Sequence, residues 1–192
     1  MNTEDDPDVA LMLAVQRGDE SAFARLFEKH IGGVVGFATQ FVGTRARAEE
    51  LAQDVFLQVY KNRTRYEPRA RFSTWLYRMV TNACLSEMRR PEHRGRTQSM
   101  DQPLADDSDP PEIAASERSS EDDVAGREVL VRARAALDAL PAQQRAAVLL
   151  ARVEGFSYDE VADSLSCSVS AVKSLIHRAT VTLRERLQED GV

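Results

Sequence analysis

The chain has 192 residues, enough for one domain or two small ones, and its 43% hydrophobic and 29% charged content is that of a globular protein in water. No apolar run reaches the length of a membrane span, the acidic start MNTEDDPDVA is unlike a basic secretory leader, and Cys84 and Cys167 stand alone and far apart. A cytoplasmic protein with reduced thiols, no membrane insertion and no disulfide is expected, and its formal charge of −6 argues at first against nucleic acid.

The first predicted element is a short helix over Asp8 to Arg17, closed by Gly18. A second begins at Asp19 or Ser21 and carries Phe23, Leu26, Phe27, Ile31, Val34, Val35, Ala38 and Phe41 to Gly43, a broad apolar face. Inside it, Gly32, Gly33 and Gly36 mark places for close packing or a kink. A third helix, from about Arg45 to Asn62, turns Ala48, Leu51, Ala52, Val55, Phe56 and Val59 inward. Its other side groups Glu50, Gln53, Asp54, Leu57 and Lys61, an apolar residue ringed by polar ones, as on a small protein-docking surface. The same residues also fit a solvated face with one stray leucine.

Asn62 to Arg71 reads as an arginine-rich loop, followed by a helix from Phe72 to about Arg90 with Ser73 as its cap. At helical spacing Leu76, Val80 and Ala83 face the core, while Arg78, Asn82, Leu85 and Arg89 face away and Trp75 sits at the border. Arginines that track phosphates and an aromatic that stacks on bases suit single-stranded DNA, so Arg63, Arg65, Arg71, Trp75, Arg78, Asn82 and Arg89 are candidate contacts. The alternative keeps Trp75 and Tyr77 in the core and the arginines in solvent, and for Tyr77 it is the preferred one.

Charge is unevenly spread. Lys61 to Arg96 holds ten cations against three anions, whereas Gln98 to Ala125 holds nine anions against Arg118 alone. The acidity belongs to a linker, about residues 93–125, rich in Asp, Ser, Pro and Glu and too poor in apolar residues to fold by itself. What remains is two basic stretches, the electrostatic footprint of a DNA binder.

Beyond the linker a helical pattern runs from Arg127 to Leu140. Pro141 opens the first turn of another, continued by Arg145, Val148, Leu149 and Arg152 until Glu154-Gly155 stops it. Ser157 and Glu160 form a capping box before Val161 and Leu165. After the turn Ser166 to Val169, Ser170 is expected to cap a longer helix with Val172, Ile176, Ala179, Leu183 and Leu187 on one stripe. Two helices across a tight turn form a helix-turn-helix, and the second presents Ser170, Ala171, Lys173, Ser174, His177 and Arg178 outward. Small, hydroxylic and cationic side chains suit entry into a major groove, although the same set can simply solvate an αα-hairpin.

The run from Leu140-Pro141 and Arg145 through Glu154-Gly155-Phe156-Ser157-Tyr158-Asp159-Glu160-Val161-Ala162 to Val172-Lys173-Ser174 and His177-Arg178-Ala179 resembles region four of the extracytoplasmic-function (ECF) sigma factors. Ala48-Glu49-Glu50-Leu51, Gln53-Asp54, Phe56, Phe72, Trp75-Leu76-Tyr77-Arg78, Asn82 and Arg89-Arg90 resemble region two. The chain departs from the family at Ser166, where glycine usually makes the turn, at Leu175, where arginine is common, and at Arg47, where an acid usually stands.

The resemblance implies an all-α protein of two small helical domains, residues 1–92 and 126–192, joined by the flexible acidic segment 93–125. It implies an alternative sigma factor that binds the β and β′ subunits of core RNA polymerase, with Glu50, Gln53, Asp54 and Leu57 docking on β′. The loop and helix from Arg63 to Arg89 are implied to read and help open the −10 element of promoter DNA, the helix from Ser168 to read the −35 element, and an anti-sigma factor to control both. With no Gly-rich phosphate loop and no catalytic or metal constellation, neither an enzyme nor a cofactor is expected. Two other classes stay open: a helix-turn-helix regulator fused to an unrelated helical module, and an RNA-binding adaptor, the latter disfavoured because no RNA module is visible.

Overall fold

The computed structural model describes residues 6–89, 129 and 131–189, so the expectations for the linker lie outside the described residues. Among the described residues the N-terminal half comprises α1 (Pro7–Gln16), α2 (Glu20–Val42), α3 (Arg45–Lys61) and α4 (Phe72–Arg89), with a 3-10 turn at Arg63–Arg65. The C-terminal half comprises a helix over residues 131–138 (α5), α6 (Ala142–Arg152), α7 (Tyr158–Leu165) and α8 (Val169–Glu189). Among the described residues there is no strand, and no helix is long and apolar enough to cross a membrane.

Local chemistry accounts for most helix ends. Asp19 accepts the Ser21 and Ala22 N–H groups at the start of α2, and Gly43 at φ 81° closes it by returning its N–H to the Thr39 carbonyl. Asp6 serves two helices at once: one oxygen accepts the Asp8 N–H at 3.1 Å and the other the Phe72 N–H at 3.0 Å. That second bond corrects the expectation for α4. Phe72 is already helical, the first carbonyl in the ladder is that of Arg71, which accepts the Trp75 N–H at 3.2 Å, and Ser73 lies inside the helix. A carboxylate from a distant segment has taken the orphan donor that a local cap would satisfy.

Met12, Leu26, Val34, Val59, Phe72, Leu76 and Val80 are fully buried where α1 to α4 meet. Phe23 and Phe27 pack edge-on against Phe56 and Tyr60 and so join α2 to α3. Every residue predicted to be inside α3 is buried.

In the C-terminal half Pro141 stands one position before α6, as its cap, rather than in its first turn. The Ser157–Glu160 capping box is complete, with the Ser157 N–H donating to Glu160 at 2.9 Å and the Glu160 N–H to Ser157 Oγ at 3.3 Å. Ser168, not Ser170, caps α8: its hydroxyl accepts the Ala171 N–H at 3.2 Å, and Ser170 is a helical residue bonded to Ser168 through its own hydroxyl. Val172, Ile176 and Ala179 are buried as expected, but Leu187 is 47% exposed, because α8 outruns the elements it packs on.

Ser166 ends α7 in the left-handed conformation at φ 52°, the only non-glycine with positive φ among the described residues. A Cβ there costs energy that glycine avoids. Ser166→Gly is therefore expected to stabilise the chain by about 0.5–1 kcal/mol in urea denaturation, the gain being reduced by the greater freedom of glycine in the unfolded state.

The two halves pack together, chiefly α4 against α7. The Tyr77 hydroxyl donates to Glu154 at 2.5 Å, and the Tyr77 ring meets Phe156 edge-on at 5.3 Å. Gly33 permits this approach, since a Cβ on it would lie 3.0 Å from the Tyr77 hydroxyl, whereas Gly32 and Gly36 face open space. Burial raises the Glu154 carboxyl, an effect the Tyr77 bond partly offsets, and burial also pushes the Tyr77 phenol far up, so it keeps the proton it donates. At the other end of the contact, Arg134 donates to the Thr39 carbonyl at 3.0 Å and Arg145 to the Gln40 carbonyl at 2.8 Å, capping the C-terminus of α2.

Candidate nucleic-acid and docking surfaces

With its apolar stripe committed to the core, α3 leaves Glu50, Gln53, Asp54, Leu57 and Lys61 exposed on one side, and Leu57 keeps 55% of its surface in water. Arg47 borders this patch. It pairs with Glu50 on its own helix and, through Nε and Nη2, with Glu87 of α4 at 3.0 and 2.7 Å. The hydrogen bond that the guanidinium donates to Glu50, then those it donates to Glu87, raise its pKa further, so the charge is permanent. The first acid of the predicted docking surface is thus tied to α4 by the residue that departs from the family pattern.

On α4 a groove of about 470 Å³ is lined by Arg65, Glu67, Arg69, Ala70, Thr74, Trp75, Arg78 and Asp163. Trp75 is half-buried and wedged between two deeper rings, edge-on to Tyr66 at 4.9 Å and tilted against Phe72 at 5.9 Å. Tyr66 is 3% exposed, and burial first, then the nearby Asp6 and Asp8, push its phenol up to about 12, so it acts as a neutral wall. The structure therefore brings Arg65, Trp75 and Arg78 into one groove. Asn82 and Arg89 are exposed farther along α4, at spacings that continue the Arg78 face.

Arg63 is held away from the groove, stacked over the Tyr60 ring at 4.1 Å and donating to the Tyr60 carbonyl at 2.8 Å. Arg71 points to the other half of the chain, where it meets Glu160 at 3.4 Å. Burial would raise the Glu160 carboxyl, but Ser157 and Arg71 together hold it below the usual range. The sequence reading missed Arg69, Thr74 and Asp163 as lining residues. Arg69 was within reach of it, being in the same basic loop, whereas Asp163 lies some ninety positions away and reaches the groove only by tertiary packing.

In the helix-turn-helix, α8 exposes Ser170, Lys173, Ser174, His177 and Arg178, with Ala171 partly covered. Arg178 Nε donates to the Ser174 carbonyl one turn back at 3.2 Å, which fixes the stem while the rest of the fork stays free. Leu175 is partly buried against the core, so the position that departs from the family adds packing rather than an outward cation. Cys84 and Cys167 are both free thiols.

A helix-turn-helix with a cationic outer face, joined to a helical body that carries an arginine-walled aromatic groove and a separate apolar-centred patch, defines a DNA-binding protein of the transcription apparatus. Residues 26–94 match Sigma-70 region 2 and residues 130–183 match Sigma-70, region 4. Over 172 residues the chain is 36% identical to the RNA polymerase sigma factor CarQ of Myxococcus xanthus, covering 90% of this chain and 92% of that protein. Over 173 residues it is 35% identical to the ECF RNA polymerase sigma factor SigE of Mycolicibacterium smegmatis, covering 88% of this chain but 64% of that longer protein. The fold is also that of the sigma factor RpoE in its complex with the anti-sigma factor NepR from Bartonella quintana, with a TM-score of 0.65 at 23% identity over 86% of this chain and 96% of that one. The chain belongs to the ECF group of the sigma-70 family.

Proposed function

We propose that the chain directs core RNA polymerase to promoters in the cytoplasm: the α3 patch docks on the β′ subunit, the C-terminal half contacts β and reads the −35 element through α8, and the α4 groove reads and helps open the −10 element. The division into residues 1–92, 93–125 and 126–192 follows the two regions and the acidic stretch between them. The observation that carries this reading is the groove on α4. Trp75, wedged between buried rings and flanked by Arg65, Arg78 and the Glu67-paired Arg69, offers a stacking surface beside cations, which unpaired bases need and a duplex-only regulator does not. Strand opening then draws its free energy from preferential binding of bases that have left the helix.

On α8, Lys173 and Arg178 supply phosphate or guanine contacts, with Ser170, Ala171, Ser174 and His177 close enough to reach base edges. An anti-sigma partner is supported by the shared fold with RpoE, whose structure contains one. The protein works by binding, without chemistry or a cofactor of its own.

Transcription in vitro with purified core polymerase and a fragment carrying the gene's own upstream region tests the proposal. Specific initiation is expected to require the protein and to fall at least tenfold with Arg78→Ala/Asn82→Ala, the loss of two contacts to unpaired DNA. Duplex binding without any binding to core polymerase would instead establish an ordinary helix-turn-helix regulator.

A further inference from the structure

Arg65, Glu67, Arg69 and Ala70, which line one side of the groove, belong to the arch of chain between α3 and α4. None of the groove's lining residues comes from α1, yet α1 and its capping residue hold both feet of that arch. At the near foot the Gln16 side-chain amide donates to the Thr64 carbonyl at 3.2 Å and to the Tyr66 carbonyl at 3.3 Å. Carbonyls only accept, so the amide nitrogen with its two hydrogens is the atom that faces them. At the far foot Asp6 accepts the Phe72 N–H at 3.0 Å.

The two carbonyls that Gln16 holds are placed for a purpose. A peptide unit is rigid, so fixing a carbonyl fixes the direction in which the next residue leaves. The Thr64 carbonyl belongs to the peptide that leads into Arg65, and the Tyr66 carbonyl to the one that leads into Glu67. Burial of the Tyr66 ring, edge-on to Trp75, sets the depth of the arch, but apolar packing has little direction of its own. Arg63 ties the 3-10 turn to Tyr60 of α3, upstream of both peptides. At the tip, the Arg69 N–H donates to the Glu67 carbonyl at 2.8 Å and the Arg69 guanidinium pairs with the Glu67 carboxylate, bonds that shape the tip without tying it to a helix.

We infer that Gln16 is a positioning residue for the single-strand reader: by fixing these two peptides from α1, it presents Arg65 and the Glu67–Arg69 tip to an unpaired base in one geometry. The role given to the groove rests on the proposed function; the clamp on the arch does not. Thr64 is exposed, so water takes the place of the amide once it is removed and the fold loses little. What goes is preorganisation, because an arch free to sample other positions has to be ordered when bases bind.

The test uses holoenzyme reconstituted from core polymerase and the full chain carrying Gln16→Met, which keeps the length of the side chain and removes both donors. Gln16→Glu, which keeps the shape but sets acceptors against acceptors, is the second variant. Fluorescence of a base analogue in the −10 element of the gene's own promoter follows strand opening. Its rate at saturating promoter is expected to fall about fivefold to tenfold, the effect of losing the order imposed by two hydrogen bonds. The promoter concentration that gives half that rate, the affinity for core polymerase and the urea midpoint are expected to stay unchanged, which a role in folding alone would not allow. In the free chain, trypsin is expected to cut after Arg65 and Arg69 about threefold faster in either variant, since a released arch opens more often.

Unchanged cleavage at Arg65 and Arg69 in both variants overturns the clamp, whatever the promoter assay shows. A loosened arch with an unaltered rate of opening, while Arg78→Ala/Asn82→Ala still abolishes initiation, overturns the positioning role and leaves the −10 reading standing. Normal opening by the Gln16 variants and by Arg78→Ala/Asn82→Ala alike removes the groove from promoter reading, and the positioning role with it. Loss of core binding and of stability in step with opening would assign Gln16 to the fold instead.

Discussion

Phe72→Ala is expected to destabilise the N-terminal half by about 3–5 kcal/mol, the range for truncating a fully buried aromatic in a core that cannot collapse around the void. Phe72 is 0% exposed and touches three other rings: His30 at 5.4 Å, Tyr66 at 6.3 Å and Trp75 at 5.9 Å. Its backbone N–H is also the donor that Asp6 uses to join the starts of α1 and α4. The substitution removes the floor on which Trp75 rests, so single-strand binding should weaken even at temperatures where the variant remains folded. Urea denaturation followed by near-ultraviolet circular dichroism measures both effects, since the tryptophan signal should flatten as its cage loosens. Phe72→Leu, which keeps most of the volume, should lose less than half as much stability. Equal losses from the two substitutions would show that the ring itself does not organise the site.

Arg145→Ala should cost about 2–4 kcal/mol, because a buried guanidinium that satisfies several acceptors leaves them stranded when it goes. One nitrogen donates to the Gln40 carbonyl at 2.8 Å and another to the Asp138 carbonyl at 2.7 Å, while the Asp138 carboxylate lies 3.0 Å away. The guanidinium carbon also lies 5.7 Å from the centre of the Phe41 ring. Burial lowers its pKa and Asp138 opposes the shift, yet an arginine stays charged throughout the working range, so no pH dependence between about pH 5 and 9 should come from this residue. Arg145→Lys keeps the charge but not the planar fork, and should recover only part of the loss. Because Asp138 belongs to the same half and Gln40 to the other, loss of stability should be accompanied by expansion in solution scattering. A variant that unfolds less readily than the wild type, or expands without losing stability, would contradict this assignment.

Much of the architecture can be read from local pattern. Helix starts at Asp19 and Ser157 and stops at Gly18, Gly43 and Gly155 follow from short-range hydrogen bonding and from the freedom of glycine, which neighbouring residues alone decide. The inward stripe of α3 and the outward residues of α8 follow from the 3.6-residue repeat, and both families of positions lie where that repeat puts them. Even Ser166 is legible, since a turn that wants glycine and receives serine must place a side chain at positive φ. The two misjudged caps, Ser73 and Ser170, have different causes: at α8 the neighbouring Ser168 hydroxyl takes the cap two positions earlier. A hydroxyl at a helix start is a candidate, but which donor remains orphaned depends on what else arrives there, and at α4 an acid from before α1 arrives first.

The linear chain by itself determined the helices, their apolar faces, the separation of charge and the family, because each depends on residue type within a window of a few turns. Only the tertiary structure decided which cations share a site. Arg65 and Arg78 converge around Trp75, with Arg69 beside them paired to Glu67, while Arg63 is spent on Tyr60 and Arg71 on Glu160, and Asp163 enters their groove from the far half of the sequence. Contacts between segments so far apart in the chain leave no periodic signal, since their partners are selected by how the helices pack and not by how the residues are spaced.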